Sequence, residues 1–401
     1  MKKLKLFSKG RIKKVTRIEI NYFIQKKTAE FLSKINKNEV YGNSPPEVFV
    51  GRMGYPKVYV GPLLPPTTAP TEYLGMPEKW WGRKLEEIIS MRLQLLRGKK
   101  RIKIVDLDNK LVEKLREMIL SKKSVETEMK LKRISHIPHF SRYHQPFGPS
   151  AIFEDFNAYP SNTNFKLEKV FYDTDLKATE AAIILYKKGL PVSKIQQAFS
   201  MGMMGIGKNR KLVPTRWSIT AVDDTLSKNL IEKIKQYPEI NEFRVYYTEY
   251  LDNKWIVLMF PGKWEYEFIE AWFPGTLADY LAIGGDHEDW RGRKTYASIG
   301  GCYYASRLAV TEKLEEEKRQ ASVLVLREAH PGYSVPVGVW NVRESVRHAL
   351  KSKPQKFEEL EDAIRFSVSK LTLPLKVWIE NSKILKKIFK QTKISKFLEG
   401  F

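Results

Sequence analysis

Two rhythms of apolar residues run through the 401-residue chain, one at helical spacing and one alternating. Helical spacing predicts a short amphipathic helix over residues 22 to 35. A longer helix is expected over 79 to 97, with Leu85, Ile88, Ile89 and Leu96 on one face and Gly98 as its stop. A third covers 108 to 120. Asp175 is read as the cap of a helix ending at Gly189, and Ser193 as the cap of the next. Residues 225 to 236 form a further helix, which Asp223 and Asp224 precede as cap candidates. Alternation marks strands. Val48, Val50, Val58 and Val60 alternate within a Pro/Gly-rich stretch from Ser44 to Pro66, where helix is excluded. Ile102 to Val105 reads as a short strand, and residues 136 to 165 as loop. Glu242 to Phe260 alternates around a hairpin at Asp252-Asn253, and Trp264, Tyr266 and Phe268 continue the pattern against Glu265 and Glu267 on the other face. Beyond Pro274-Gly275 come a helix (302 to 319), strands at Val323 to Leu326 and Val335 to Val339, then three helices to residue 389.

The class is therefore α+β (mixed α/β). A larger N-terminal region with Gly/Pro-rich strands and helices covers 18 to 270, and a smaller C-terminal α/β region covers 271 to 388. A basic arm (residues 1 to 17) and a flexible terminal peptide (389 to 401) flank them. With 42% apolar residues the chain has material for large cores rather than disorder.

Charge changes the picture. Lys and Arg number 70 against 46 Asp and Glu, a formal charge of +24. Such an excess favours a polyanionic partner, with nucleic acid the first candidate. A heat-adapted surface is the alternative, but heat adaptation adds Glu along with Lys. Cys302 is the only cysteine, so no intrachain disulfide and no thiolate-rich zinc ribbon can form, which points to a reducing interior. The basic N-terminus lacks an uncharged apolar stretch behind it, and no apolar run nears the ~20 residues of a membrane span. A cytoplasmic protein without membrane contact is expected.

The last residues carry Gln391, then Ile394, then Phe397 and Leu398. In a single 3₁₀ turn, residues i and i+3 eclipse, so Ile394 and Phe397 project as a two-pronged apolar plug, with the Gln391 amide one step upstream. This spacing resembles the PCNA-interacting peptide of replication and repair proteins, and its place at a terminus makes it reachable. Leu398 stands where the usual motif has a second aromatic residue, so a shallower second anchor is expected.

Four further stretches hold chemistry-bearing residues. Gly202 to Asn209 is one residue short of a P-loop and follows a helix instead of a strand; its basic neighbours Lys208, Arg210 and Lys211 are phosphate-contact candidates. Arg216 beside Trp217 pairs a bidentate phosphate donor with a stacking surface, as single-stranded nucleic acid or a nucleotide base requires. Asp223 and Asp224 follow as catalytic candidates. Gly284 to Arg293 gathers Asp286, His287, Glu288, Asp289, Arg291 and Arg293 in one loop, where oxygen donors and one imidazole suit magnesium or manganese; plain solvation is the competing account, and no cofactor is certain. Arg307 follows two glycines at a helix start, a natural anion site. His136, His139 and His144 fit no zinc spacing and are read as loop or core histidines.

The blocks Ser44-Pro45-Pro46-Glu47-Val48-Phe49-Val50-Gly51-Arg52-Met53-Gly54-Tyr55-Pro56, Val170 to Lys177, Lys211 to Asp224, Arg291 to Ala297 and Gly300 to Arg307 resemble the Nre family of archaeal DNA-repair proteins over nearly the whole chain. The resemblance implies N-terminal and C-terminal Nre regions, a terminal clamp-binding peptide, and a part in repairing DNA damage through the PCNA clamp, with DNA and other repair proteins as partners. It assigns no catalytic residues. Many members carry a cysteine-rich, zinc-ribbon-like N-terminus, where this chain has its basic arm. The competing expectation is a nucleotide-processing enzyme or metal-dependent nuclease, with a pocket joining Arg216, Asp223 and Asp224 to the 286 to 293 loop.

Overall fold

The computed structural model describes residues 2–4, 17–36, 38–276 and 279–391. It divides into two compact units, one of residues 20–226 and 336–340, the other of residues up to 19, 227–335 and from 341 onward. The chain opens with β1 (Lys2–Leu4), which belongs to the second unit. Helix α1 (Arg17–Leu32) follows, burying Ile20, Ile24, Thr28 and Phe31 at helical spacing.

The first unit is built on a six-stranded mixed sheet. Its strands are β2 (Glu39–Ser44), β3 (Val48–Val50), β4 (Lys57–Leu64), β5 (Leu96–Lys103), β6 (Val125–Ser135) and β7 (Ser150–Tyr159), in the order β2-β6-β7-β5-β4-β3. Only β5 and β7 run parallel. Helix α2 (Leu85–Leu93) precedes β5, and Asn109 caps α3 (Lys110–Leu120) by accepting from the Leu111 amide. Three helices follow, α4 (Phe165–Tyr172), α5 (Ala178–Lys187) and α6 (Val192–Ser200), and α3 packs on β7, α4 and α6. Helix α7 (Thr215–Ile234) runs from this unit into the next.

Several sequence expectations change here. The predicted helix over 79–97 is α2 followed by the start of β5, and Gly98 is a strand residue. A Cβ there would lie 2.8 Å from Pro62 Cδ and 3.0 Å from Met129 Sδ, so the glycine serves close packing between strands, not a helix stop. The expected loop at 136–165 contains β7. Its alternation is broken because Leu131 faces Phe153 while Lys130 faces Asp155, a bulge that leaves Glu154 without an opposite residue. Asp175 caps nothing: the Asp173 carboxylate accepts from the amides of Asp175 and Leu176, and α5 begins after Lys177. Ser193 lies inside α6, held by Glu78 at 2.8 Å through both its amide and its hydroxyl.

The second unit carries a seven-stranded sheet. The added strands are β8 (Phe243–Tyr250), β9 (Asn253–Phe260), β10 (Glu265–Trp272), β11 (Leu281–Glu288), β12 (Ser322–Ala329) and β13 (Gln355–Phe357), ordered β1-β11-β10-β12-β9-β8-β13. The expected hairpin closes at Leu251 and Asp252, both at positive φ. Strand β12 is buried along its whole length: Val323 to Leu326 form the apolar run, and the buried Arg327 donates to Asn253 and Glu270. Helix α8 (Gly301–Glu317) packs on β10, with Tyr266 Oη donating to the Tyr303 carbonyl. Helix α9 (Trp340–Lys351) follows a turn at Val335–Val339, where a strand was expected; Pro336 and Gly338, at φ 98°, break extended pairing. Among the described residues four helices, not three, follow: α9, α10 (Leu360–Ser369), α11 (Leu375–Asn381) and α12 (Lys383–Gln391). The last three supply Ile364, Trp378, Leu385 and Phe389 to an apolar core shared with one sheet face.

Glu267, on the sheet face opposite Tyr266 and Phe268, is buried too. Its carboxylate accepts from Ser382 Oγ (2.6 Å) and from the Lys383 and Ile384 amides (2.7 and 3.0 Å), capping α12 against the sheet. The element that leads into the terminal peptide is thereby fixed to β10. Ile394, Phe397 and Leu398 lie outside the described residues, as do the Gln391 side chain and residues 5–16 of the basic arm.

Candidate nucleic-acid interface

Three segments of the first unit converge on one cleft of about 470 Å³: Phe49–Met53 after β2, Arg97–Lys99 on β5 and His139–His144 before β7. Pro214 and Arg216, at the start of α7, complete it. Backbone chemistry brings the pieces together. The Val48 amide donates to Gln197 Oε1 and the Val50 amide to Thr215 Oγ1, both at 3.0 Å, so the Ser44–Pro56 block is stitched to α6 and to the first turn of α7. The Pro214 carbonyl accepts from the Trp217 and Ser218 amides and so starts α7 well upstream of the expected residue 225. Beneath the cleft, buried Arg92 holds Glu47 through two nitrogens, at 2.7 and 3.0 Å, and donates to the carbonyls of Leu74 and Pro146.

The lining is cationic and aromatic. Arg52, Arg97, Lys99, Arg142 and Arg216 face it, and among the described residues no Asp or Glu does. The Arg216 guanidinium carbon lies 3.4 Å from the Tyr143 ring centre, a cation–π contact. Arg97 stacks at 4.9 Å on Phe49 and 5.8 Å on Phe147, and its Nε is sealed from solvent with no hydrogen-bond partner among the described residues. Burial draws the Arg97 guanidinium down to about 10, which leaves it charged at neutral pH. Burial and the neighbouring Arg97 and Arg133 likewise lower the Lys99 ammonium. His139 and His144 stack on each other at 5.2 Å, and His144 packs edge-on to Phe49. Burial lowers both imidazoles, His144 to about 3, so they stand as neutral rings. A half-buried cation with no carboxylate beside it among the described residues is costly, and an entering anion offsets that cost.

The residues singled out by sequence are distributed unevenly. Arg216 lines the cleft. Trp217 stands beside it, exposed, 5.2 Å from the equally exposed Tyr55. Lys208 and Lys211 are exposed on the turn after α6, and Lys211 borders a separate hollow of about 240 Å³. Arg210 is committed to the fold, donating to the carbonyls of Gly205, Phe171 and Asp173 at 2.6–2.7 Å. Asp223 was expected as a cap or a catalytic acid. It lies mid-helix, fully buried, and accepts from Gln196 Nε2 at 2.9 Å. Asp224 is the next residue of α7.

Asp286 and His287 belong to the other unit and lie on β11, not in a loop. Asp286 accepts from Arg293 Nη1 and the amides of His287 and Ser298; these contacts outweigh burial and hold its carboxyl below the usual range. His287 Nε2 is 2.9 Å from Glu265 Oε1. Arg291 pairs with Asp289 on the surface. Arg307 is buried against Glu288 at 2.6 Å. No three His, Cys, Asp or Glu residues among those described are grouped to hold a metal, and no described helix is long and apolar enough to cross a membrane.

Sequence reading missed Arg97, Lys99 and Tyr143, and with them most of the cleft. The Phe49–Met53 block was visible only as a family block, and His139 and His144 only as histidines without zinc spacing. The usable signal was the basic run over 97–101 and an arginine set among aromatic residues over 139–147.

The chain matches the family model described as Archaeal Nre, N-terminal, over residues 20–278, and that described as Archaeal Nre, C-terminal, over residues 288–397. It is 42% identical to the DNA repair protein NreB of Archaeoglobus fulgidus, over 88% of this chain and 90% of that one. Identity to the DNA repair protein NreA is 38% for the A. fulgidus protein (92% of this chain, 93% of that one) and 33% for the Haloferax volcanii protein (84% of each). No solved structure matches. Two family models that together span most of the chain, and relatives matched almost end to end, establish that this protein belongs to the archaeal Nre family.

Proposed function

We propose that this protein is a DNA-repair factor that docks on the PCNA sliding clamp through Gln391, Ile394, Phe397 and Leu398 and contacts DNA through the basic cleft of its first unit. The relatives' names support the repair role. The clamp contact is supported by the terminal spacing, which follows directly on a helix pinned by Glu267. The observation that carries DNA contact is the cleft, which among the described residues gathers five cations and no carboxylate. Lys and Arg so arranged displace counterions from a phosphate backbone, which supplies sequence-independent affinity. Other repair enzymes brought to the same clamp are the natural partners of such a tethered factor.

No reaction is assigned. The acids named as catalytic candidates have structural partners, Gln196 for Asp223 and Arg293 for Asp286, and they fall in different units. Calorimetric titration against PCNA tests the tether. The full-length chain binds with moderate affinity, and a chain ending at residue 390 gives no heat while keeping its melting temperature. Retained binding by the shortened chain would refute the clamp assignment.

A further inference from the structure

We infer that the cleft accepts a single unpaired nucleotide, a strand end or an extruded residue, with its phosphate at Arg97 and Arg216 and its base among the aromatic walls. This rests on the DNA-contact reading above and specifies what enters. A duplex offers its phosphates on a convex cylinder, which reaches exposed cations. Arg97 is not one of these: it is half-buried in the cleft wall, with its guanidinium packed against Phe49 and Phe147. Only a group that enters the cleft meets it.

The dimensions favour a nucleotide over a bare phosphate. About 470 Å³ falls within the ordinary range for small-ligand sites, roughly 300–1,000 Å³, and phosphate alone would leave most of the space unfilled. The walls also suit a base. Phe49, Tyr59, Phe140 and Tyr143 supply rings, and the two histidines are held neutral by burial, so they add polar edges without further charge. Base stacking on such surfaces tolerates any sequence. Outside the cleft, Tyr55 and Trp217 lie next in sequence to the lining, exposed and close together, placed to stack a neighbouring base. Extrusion is cheapest where a base is mismatched, damaged or already unpaired. The cleft would thus prefer damaged or frayed DNA to intact duplex.

The test uses the full-length protein, labelled DNA and fluorescence anisotropy. A blunt duplex is compared with the same duplex carrying one unpaired nucleotide, and deoxyadenosine monophosphate and inorganic phosphate are used as competitors. The unpaired nucleotide is expected to tighten binding at least tenfold, with the monophosphate competing better than phosphate. Arg97→Gln and Tyr143→Ala should each erase that preference, costing the DNA with the unpaired nucleotide far more affinity than the blunt duplex. Equal affinity for both DNAs, or variants that weaken both alike, would overturn the inference while leaving DNA contact intact. Binding of the free monophosphate with no gain from an unpaired nucleotide would also overturn it, since the ligand would then be a free nucleotide. No binding to any DNA would sink the broader reading instead. If Arg97→Gln does not fold, the wild-type comparison and Arg216→Ala carry the same decision.

Discussion

Arg92 closes α2 and Arg97 opens β5, and their surroundings give them opposite work. Arg92 is buried with Glu47 and two carbonyls, so its charge is used up in holding the β2–β3 turn. Arg92→Met would strand the Glu47 carboxylate, and a loss of about 3–5 kcal/mol in urea unfolding is expected. Arg216 covers Tyr143 and makes no other polar contact among the described residues. Arg216→Ala should shift stability by less than about 1 kcal/mol while weakening DNA binding several-fold, read by melting and anisotropy on one preparation. His144 adds a pH signature. Burial holds its imidazole near 3, below the ordinary 6.5, so unfolding takes up a proton below pH 6.5. Its contribution is complete above pH 6.5 and is lost as pH falls toward 3, by up to about 1.4 kcal/mol per pH unit. Unfolding curves at pH 7.5, 6 and 5 check this, and His144→Gln should flatten that part of the slope.

At the scale of elements, sequence and structure agree where one periodicity runs unbroken. The hairpin at β8–β9, strand β12 and helix α8 are all legible for that reason. Reading failed where a local feature disguised the period. The bulge at Glu154 hid β7, and the run from Leu85 to Leu96 kept helical spacing through a turn into β5. Helix α7 was truncated because Thr215, Trp217, Ile219, Thr220 and Val222 are weak helix formers. That error placed Asp223 outside the helix that buries it. The cleft was poorly legible for a different reason: its residues come from distant segments, and only tertiary contacts such as Val50 to Thr215 assemble them. Gly98 tests how tightly β5 must sit. Gly98→Ala puts a Cβ within 3.1 Å of Pro62, Met129 and Phe153, so a loss of about 1–3 kcal/mol is expected, with weaker DNA binding because β5 carries Arg97 and Lys99.

Across the whole molecule, the proposed function makes the +24 charge and the terminal peptide two separable attachments. The charge alone predicts affinity that falls steeply with salt for any DNA, whereas the cleft predicts that a defined part of that dependence belongs to particular side chains. The most direct measurement is therefore the salt dependence of single-stranded DNA binding for the wild-type chain and for the Arg97→Gln/Arg216→Ala double variant. Two lost phosphate contacts should lower the slope of log affinity against log salt by about 1.4, together with a tenfold or greater loss of affinity at 150 mM salt or thereabouts. An unchanged slope and affinity would contradict the account and return the positive charge to the surface at large.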